Sequence, residues 1–501
     1  MINSKNNLTP QHRMAYRSSI QMMGGTADEP DYIYYNADIV NNKTDDINFA
    51  GLATPDPQIR FNETRDTALV KDASQYHFSI IRFTMNGANR DLPLFIPNIQ
   101  TGQSDVNRTT YSVAISYQQS WNTNLGVIAF NLTPNPTFIT YTPETQNPVL
   151  APTPRSPTVK QDLTSRYYWV YTYQHWLDLV NYTLLQAHQS LYTAFQAAWA
   201  AYPGLTDPFP YPTFANFQAV VQTPQILFDG EGDPTFTIIA DTDGYGQRLE
   251  SFIPIPYVAG TAGPATTPIE RLFFNTNMFG LFANFNNVYY NRVDIPTATF
   301  AGITYPGFPA PVPEGYTNEI IFSNKFYQNV VDYRLSPYAG VPPLGYVPIA
   351  AQKVYWKNTQ DYKSADSLWS PISSIVFTST LLPVKSEQTG QPVELGLGNL
   401  GESYPTTKSA FQPIITDIAL DLANGSADDY RQFIFYAPSA EYRLADFGTS
   451  KQEIRNIDIQ VFWKNRLDNE LYPVSMFNLS SVSLKFMFKH KRVESGKRNG
   501  Q

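Results

Sequence analysis

Apolar and polar residues alternate with a period of two at both ends of this chain and lose that order in the middle. Near the start, residues 76–85 (YHFSIIRFTM) are aromatic and β-branched and predict a strand. A signal of the same kind opens at 31–35 (DYIYY). Residues 111–117 (YSVAISY) alternate and predict a strand with one wet face, followed by 127–130 (VIAF). Between them, 92–97 (LPLFIP) is bracketed by prolines and reads as a short edge strand. Order returns late. Segments 372–380, 414–420 and 432–436 predict strands, 457–463 (IDIQVFW) alternates almost without a break, and 481–488 (SVSLKFMF) does so again.

One stretch has helical spacing. Leu177, Val180, Leu184, His188, Leu191, Phe195, Ala198 and Tyr202 recur three and four apart and predict a helix over about 175–202, stopped by Pro203 and Gly204. Around it the chain is irregular. Residues 134–160 are rich in Pro and Thr, and 203–370 scatter short strand signals among Pro/Gly loops. Residues 1–30 are polar, lack periodicity, and read as an extended arm that orders against a neighbour.

Composition narrows the chemistry more than it narrows the fold. The 501 residues include no Cys, five His, 33 Tyr, 32 Phe and 39 Pro, and 16% are charged. Without Cys there is no disulfide framework, thiolate metal site or cysteine nucleophile. G-x-S-x-G, H-E-x-x-H, P-loop and dinucleotide glycine motifs are all absent, so neither an enzyme nor a cofactor is expected. Two stretches are acidic and glycine-bearing, Asp229 to Asp233 and Asp241 to Gly246; the second begins like a calcium loop but lacks a later bidentate Glu, and Asp-Gly pairs also build turns. His175 and His188 have no second histidine at i+4, so packing explains them better than a metal. The opening residues carry no apolar signal-peptide core, and no window is apolar enough to span a membrane.

Charge is uneven. The chain carries a formal net charge of −8 with a pI near 5.2, yet its end is basic, with Lys489, Lys491, Arg492, Lys497 and Arg498 against Glu494. A solvated terminus explains this blandly; a tail facing nucleic acid or an acidic partner explains it functionally.

Segments 76–85 and 92–97, with 370–383, Tyr442, Arg443, Leu444, and 457–463 leading to 481–488, resemble jelly-roll capsid proteins of eukaryotic DNA viruses. Vertex (penton) proteins of the adenovirus and Polinton-like kind are the nearest likeness. The resemblance implies an all-β, antiparallel jelly-roll sandwich with a large loop-rich insertion carrying one long helix; a double jelly roll is the alternative. The expected layout is an arm at 1–30, the first part of the roll at 31–150, a projecting insertion at 151–390, the last part of the roll at 391–488, and a basic tail at 489–501. The resemblance further implies a homo-oligomer, a pentamer or, for a double roll, a trimer. Its partners would be other capsid proteins and, non-specifically, the genome or internal virion proteins. The virion would be its place and the host cytoplasm or nucleus its site of synthesis. A β protein that binds glycans or a receptor through its loops is the reading from another class.

Overall fold

The fold was analysed on a computed structural model that describes residues 30–41, 58–86, 91–144, 161, 166–229, 235–241, 244–245, 263–266, 268–289, 298–300, 303–305, 318–322, 355–360, 369–389, 410–419, 433–437, 443–466, 469–476 and 479–491. Eight main strands make two facing sheets, to each of which one short strand, Ala445–Asp446 or Leu471–Pro473, is added at the side. In chain order they are β1 (Tyr32–Val40), β2 (Arg60–Thr64), β3 (Tyr76–Asn86), β4 (Ile372–Thr378), β5 (Ile414–Ala419), β6 (Phe433–Tyr436), β7 (Asn456–Asn465) and β8 (Ser481–His490). One sheet has the order β1-β8-β3-β6, the other β2-β7-β4-β5, and all their pairings are antiparallel. Strands from the two ends of the chain lie side by side, which is the winding of a jelly roll.

Alternation fills the space between the sheets. Ile457, Ile459, Val461 and Trp463 point inward from β7, and Val482, Leu484, Phe486 and Phe488 from β8; all are buried. Phe83 meets Phe377 at 5.0 Å across the sandwich, and Phe61 meets Phe486 at 6.3 Å. In β3 the buried apolar positions change parity, from Tyr76, Phe78 and Ile80 to Phe83 and Met85. The β3–β8 register shifts at that point, with Arg82 opposite Lys485 but Ile80 opposite Phe486. Ile81 is therefore the extra residue of a β-bulge that keeps both halves of the strand facing the core.

The connection from β3 to β4 holds more than half the chain and forms an inserted domain. Its frame is α1 (Tyr173–Ala201), capped by the Thr172 hydroxyl, which accepts from the His175 N–H. The helix packs on a sheet centred on the strand Arg108–Thr123. Tyr117, Trp121 and Phe130 from this sheet interleave with Phe195 and Trp199 of the helix. A second, three-stranded sheet joins Gln225–Asp229, Thr235–Asp241 and Tyr355–Thr359.

Strand pairing moves the expected boundaries. Arg108–Thr123 and Gly126–Leu132, expected in the roll, pair with each other and with Ile269–Phe274 inside the insertion. The wet face expected for 111–117 is also absent: Ser112, Ala114 and Ser116 are buried, because the strand is covered on both sides. Conversely, Ile372–Thr378, expected within an insertion ending at 390, is the central strand β4. Residues 92–97 make one bridge, Phe95 to Val170, rather than a strand. Alternation shows that a segment is a strand without showing which sheet takes it.

The insertion is seated firmly on the roll. Trp169 packs edge-on against Trp463 at 5.5 Å, and the Ser480 hydroxyl donates to Asp91 at 2.7 Å.

Candidate functional site

Charged and polar side chains come together at the end of β8, where the basic run begins, and in a polar knot inside the insertion.

At the end of β8 the chain leaves the centre of its sheet. The His490 ring stands edge-on to Tyr76 at 4.8 Å, and its Nε2 lies 3.1 Å from Gln75 Oε1. One residue on, the Lys491 N–H donates to the Gln75 carbonyl at 2.8 Å, and its Nζ donates to Asp446 Oδ1 at 2.8 Å. That bond from Lys491, outweighing partial burial, holds the Asp446 carboxyl below the usual carboxylate range. Lys489 is half-buried on the outer row of the sheet, in register with Tyr32 and His77. Lys485, on the same row, holds its ammonium 5.3 Å from the Tyr34 ring centre. Arg492, Lys497 and Arg498 lie outside the described residues. Beside Asp446 opens a cleft of about 340 Å³ whose walls include Lys385, Ile414, Arg443 and Leu444. Arg443 bonds Asp417 at 3.1 Å. Lys385, Arg443 and Lys491 thus stand around Asp417 and Asp446, a surface with a small excess of positive charge that continues the basic end of the chain.

The knot in the insertion was not legible in the sequence. His188, fully buried on α1, places Nδ1 2.8 Å from the Thr223 hydroxyl and Nε2 3.3 Å from Glu270. Glu270 lies 82 residues away on a strand, so helical spacing could not reveal it. Burial first, and then the charges of Glu270 and other neighbours, push the Tyr117 and Tyr245 hydroxyls well above their usual range and Tyr211 up to about 12. These phenols stay protonated. Both His188 and Glu270 are closed to solvent, so the arrangement holds α1 to its sheet and admits no substrate. His175 is likewise engaged, its Nε2 2.7 Å from the Thr142 carbonyl. No group of three metal-ligating side chains occurs among the described residues. Of the acidic loops, the Asp241 carboxylate accepts from the Gln222 N–H at 2.9 Å, while Asp233 and Asp243 fall outside the described residues. No described helix is long and apolar enough to cross a membrane.

With a closed jelly roll and no accessible catalytic cluster on the described surface, comparison with known proteins decides the class. A family described as Sputnik minor capsid protein V18/19 matches residues 33–490. The chain belongs to this family. A chain of the Sputnik virophage particle, solved by cryo-EM at 3.5 Å, shares the fold with a TM-score of 0.57 and 20% identity, over 93% of this chain and 99% of that one. The mavirus penton protein is more distant, at a TM-score of 0.46 and 13% identity, over 92% of this chain and 100% of that one. No curated protein matches the sequence. As a member of the V18/19 family, the chain is a structural capsid subunit; its place is the virion, where it assembles with other capsid proteins.

Proposed function

We propose that this V18/19-family subunit occupies the capsid vertex as a ring of five copies, with the jelly roll in the shell and the insertion projecting outward. The observation that carries this reading is the winding itself. Both chain ends build one eight-stranded roll, and more than half the chain leaves between β3 and β4 as a domain with its own sheets and helix. A subunit shaped in this way can tile a shell through one part and present another. Its role is structural and non-catalytic, and it is made in the host cytoplasm or nucleus, reducing compartments that suit a chain without Cys.

The basic end at Lys489, Arg492, Lys497 and Arg498 faces the particle interior and contacts phosphates without reading sequence. Support comes from the cleft beside it, where Lys385, Arg443 and Lys491 outnumber Asp417 and Asp446 by one charge. Negative-stain images of the purified protein test the ring: five-fold rings are expected, and three-fold particles with six-sided outlines would favour a double-roll arrangement. Replacing Lys489, Arg492, Lys497 and Arg498 with Gln should leave the fold unchanged and lower particle stability most at low salt. Equal stability at every salt concentration would reject the interior-facing tail.

A further inference from the structure

β3 and β8, the two central strands of their sheet, contain no Asp or Glu. In a chain with 43 acidic and 35 basic residues this is a local reversal of charge. It falls on the outer face of the sheet. Alternation turns Phe83, Leu484 and Phe486 into the core and leaves Arg82, Lys485 and Lys489 on the other side, with Lys485 opposite Arg82 and Lys489 opposite His77. Arg82 Nη2 donates to the Ser483 hydroxyl at 3.2 Å, and its Nε has no hydrogen-bond partner among the described residues. On β1, at the edge of the same face, Tyr32 and Tyr34 are 40% and 55% exposed and lie parallel, 6.2 Å apart. The row through Tyr32, Lys489 and His77 runs on to Asp446, whose carboxylate Lys491 neutralises, and so to the cleft walled by Lys385 and Arg443. From β1 to the strand Ala445–Asp446 that row crosses three strand spacings, about 14 Å. The carboxylates Asp31 and Asp38 sit at its β1 margin.

We infer that this face, from the two tyrosines to the cleft, binds single-stranded nucleic acid. The inference rests on the proposal that this end of the roll meets phosphates, and it adds the surface and the form of the ligand. Cations on neighbouring strands give a positive path to a backbone that is charged at every nucleotide. Exposed aromatic rings beside such a path can stack on unpaired bases, as on other sheet surfaces that hold single strands. The bases of a duplex are already stacked on one another and closed to Tyr32 and Tyr34. An acidic protein segment would satisfy the cations and leave both rings without a role. Since charge and stacking carry the contact, the face should bind with little preference for sequence.

Fluorescence anisotropy of the full chain with a labelled oligothymidylate of about 12 nucleotides tests this. The wild type should bind at low salt, more tightly than it binds a duplex of equal length, and lose affinity as salt rises. Tyr32→Ala with Tyr34→Ala should weaken binding about tenfold at unchanged circular dichroism, while Tyr32→Phe with Tyr34→Phe keeps it. Arg82→Gln with Lys485→Gln should weaken it too and flatten its salt dependence. Ultraviolet cross-linking of the wild type, read by peptide mass spectrometry, needs no substitution and should place the adduct on Tyr32 or Tyr34. If the variant Arg492→Gln, Lys497→Gln, Arg498→Gln loses binding while the tyrosine and Arg82 variants bind like wild type, this face is overturned and the tail reading stands. The reverse pattern upholds the face and removes the tail from phosphate contact. A wild type that ignores oligothymidylate at low salt, or that binds phosphatidylserine vesicles in its place, would overturn the inference.

Discussion

Asp458 lies on the outward row of β7, yet it is fully buried, and four donors converge on it: the Ser379 and Thr380 hydroxyls and the Thr380 and Leu381 N–H groups. Burial raises its carboxyl, but these hydrogen bonds together outweigh burial and leave it below the usual range. The carboxylate ties down the turn that ends β4, so Asp458→Ala is expected to cost about 2–4 kcal/mol in denaturant unfolding. The pH dependence follows from the depressed folded value. Its stabilisation is complete above the ordinary carboxylate pKa of about 4 and is lost as pH falls through the lower folded value. Wild-type stability should therefore drop more steeply below about pH 4 than that of Asp458→Asn. Lys491 differs, because its bridge to Asp446 leaves both side chains about a third or more exposed. Lys491→Gln should cost less than about 1 kcal/mol, and less still in high salt. Neither partnership could be read from the sequence: Asp458 lies 77 residues or more from its donors, and Asp446 lies 45 from Lys491.

At the scale of elements the sequence was more legible, and the reason is periodicity. Helix α1 shows eight apolar or packing positions at three-and-four spacing because one whole side of it is buried, and its observed span differs from expectation by two residues at its start and one at its end. Strands β7 and β8 alternate because each has one face in the core. The strand Arg108–Thr123 deceived for the same reason in reverse. Its Ser112 and Ser116 look like solvent positions but are buried under other parts of the insertion. The bulge in β3 was also present in the sequence, as the change of parity between Ile80 and Phe83. It gives a sharp expectation: deleting Ile81 restores even alternation and should leave soluble, folded protein. Deleting Ser483 from the evenly alternating β8 instead puts Val482 out of phase with Leu484, Phe486 and Phe488 and should abolish folding, as read by thermal unfolding and expression of the two deletions.

For the whole molecule, the roll and the insertion share a continuous hydrophobic core, and Trp169 against Trp463 is one of its joints. Trp169 is almost fully buried. Truncating it removes about 3–5 kcal/mol of packing that falls largely between the two parts rather than within either. Calorimetry should accordingly show one unfolding transition for the wild type and two for Trp169→Ala. Sequence pattern could not place the border between the parts. It assigns strands one at a time, whereas sheet membership depends on which distant strand covers them.

The register of β1 against β8 pairs Tyr32 with Lys489 and Val40 with Ser481. A ribosome must therefore finish nearly the whole chain before the first strand meets its neighbour. At about 5–20 residues per second, β1 to β3 wait roughly 20–80 s for β7 and β8. The insertion faces no such delay, since its strands and helix lie together in the chain and can pack while synthesis continues. Pairing over such separations is slow. Closure of the roll by its C-terminal strand is then the last event in making a subunit. No shortened chain can present a finished roll to the shell, so completed synthesis itself selects which copies become competent to assemble.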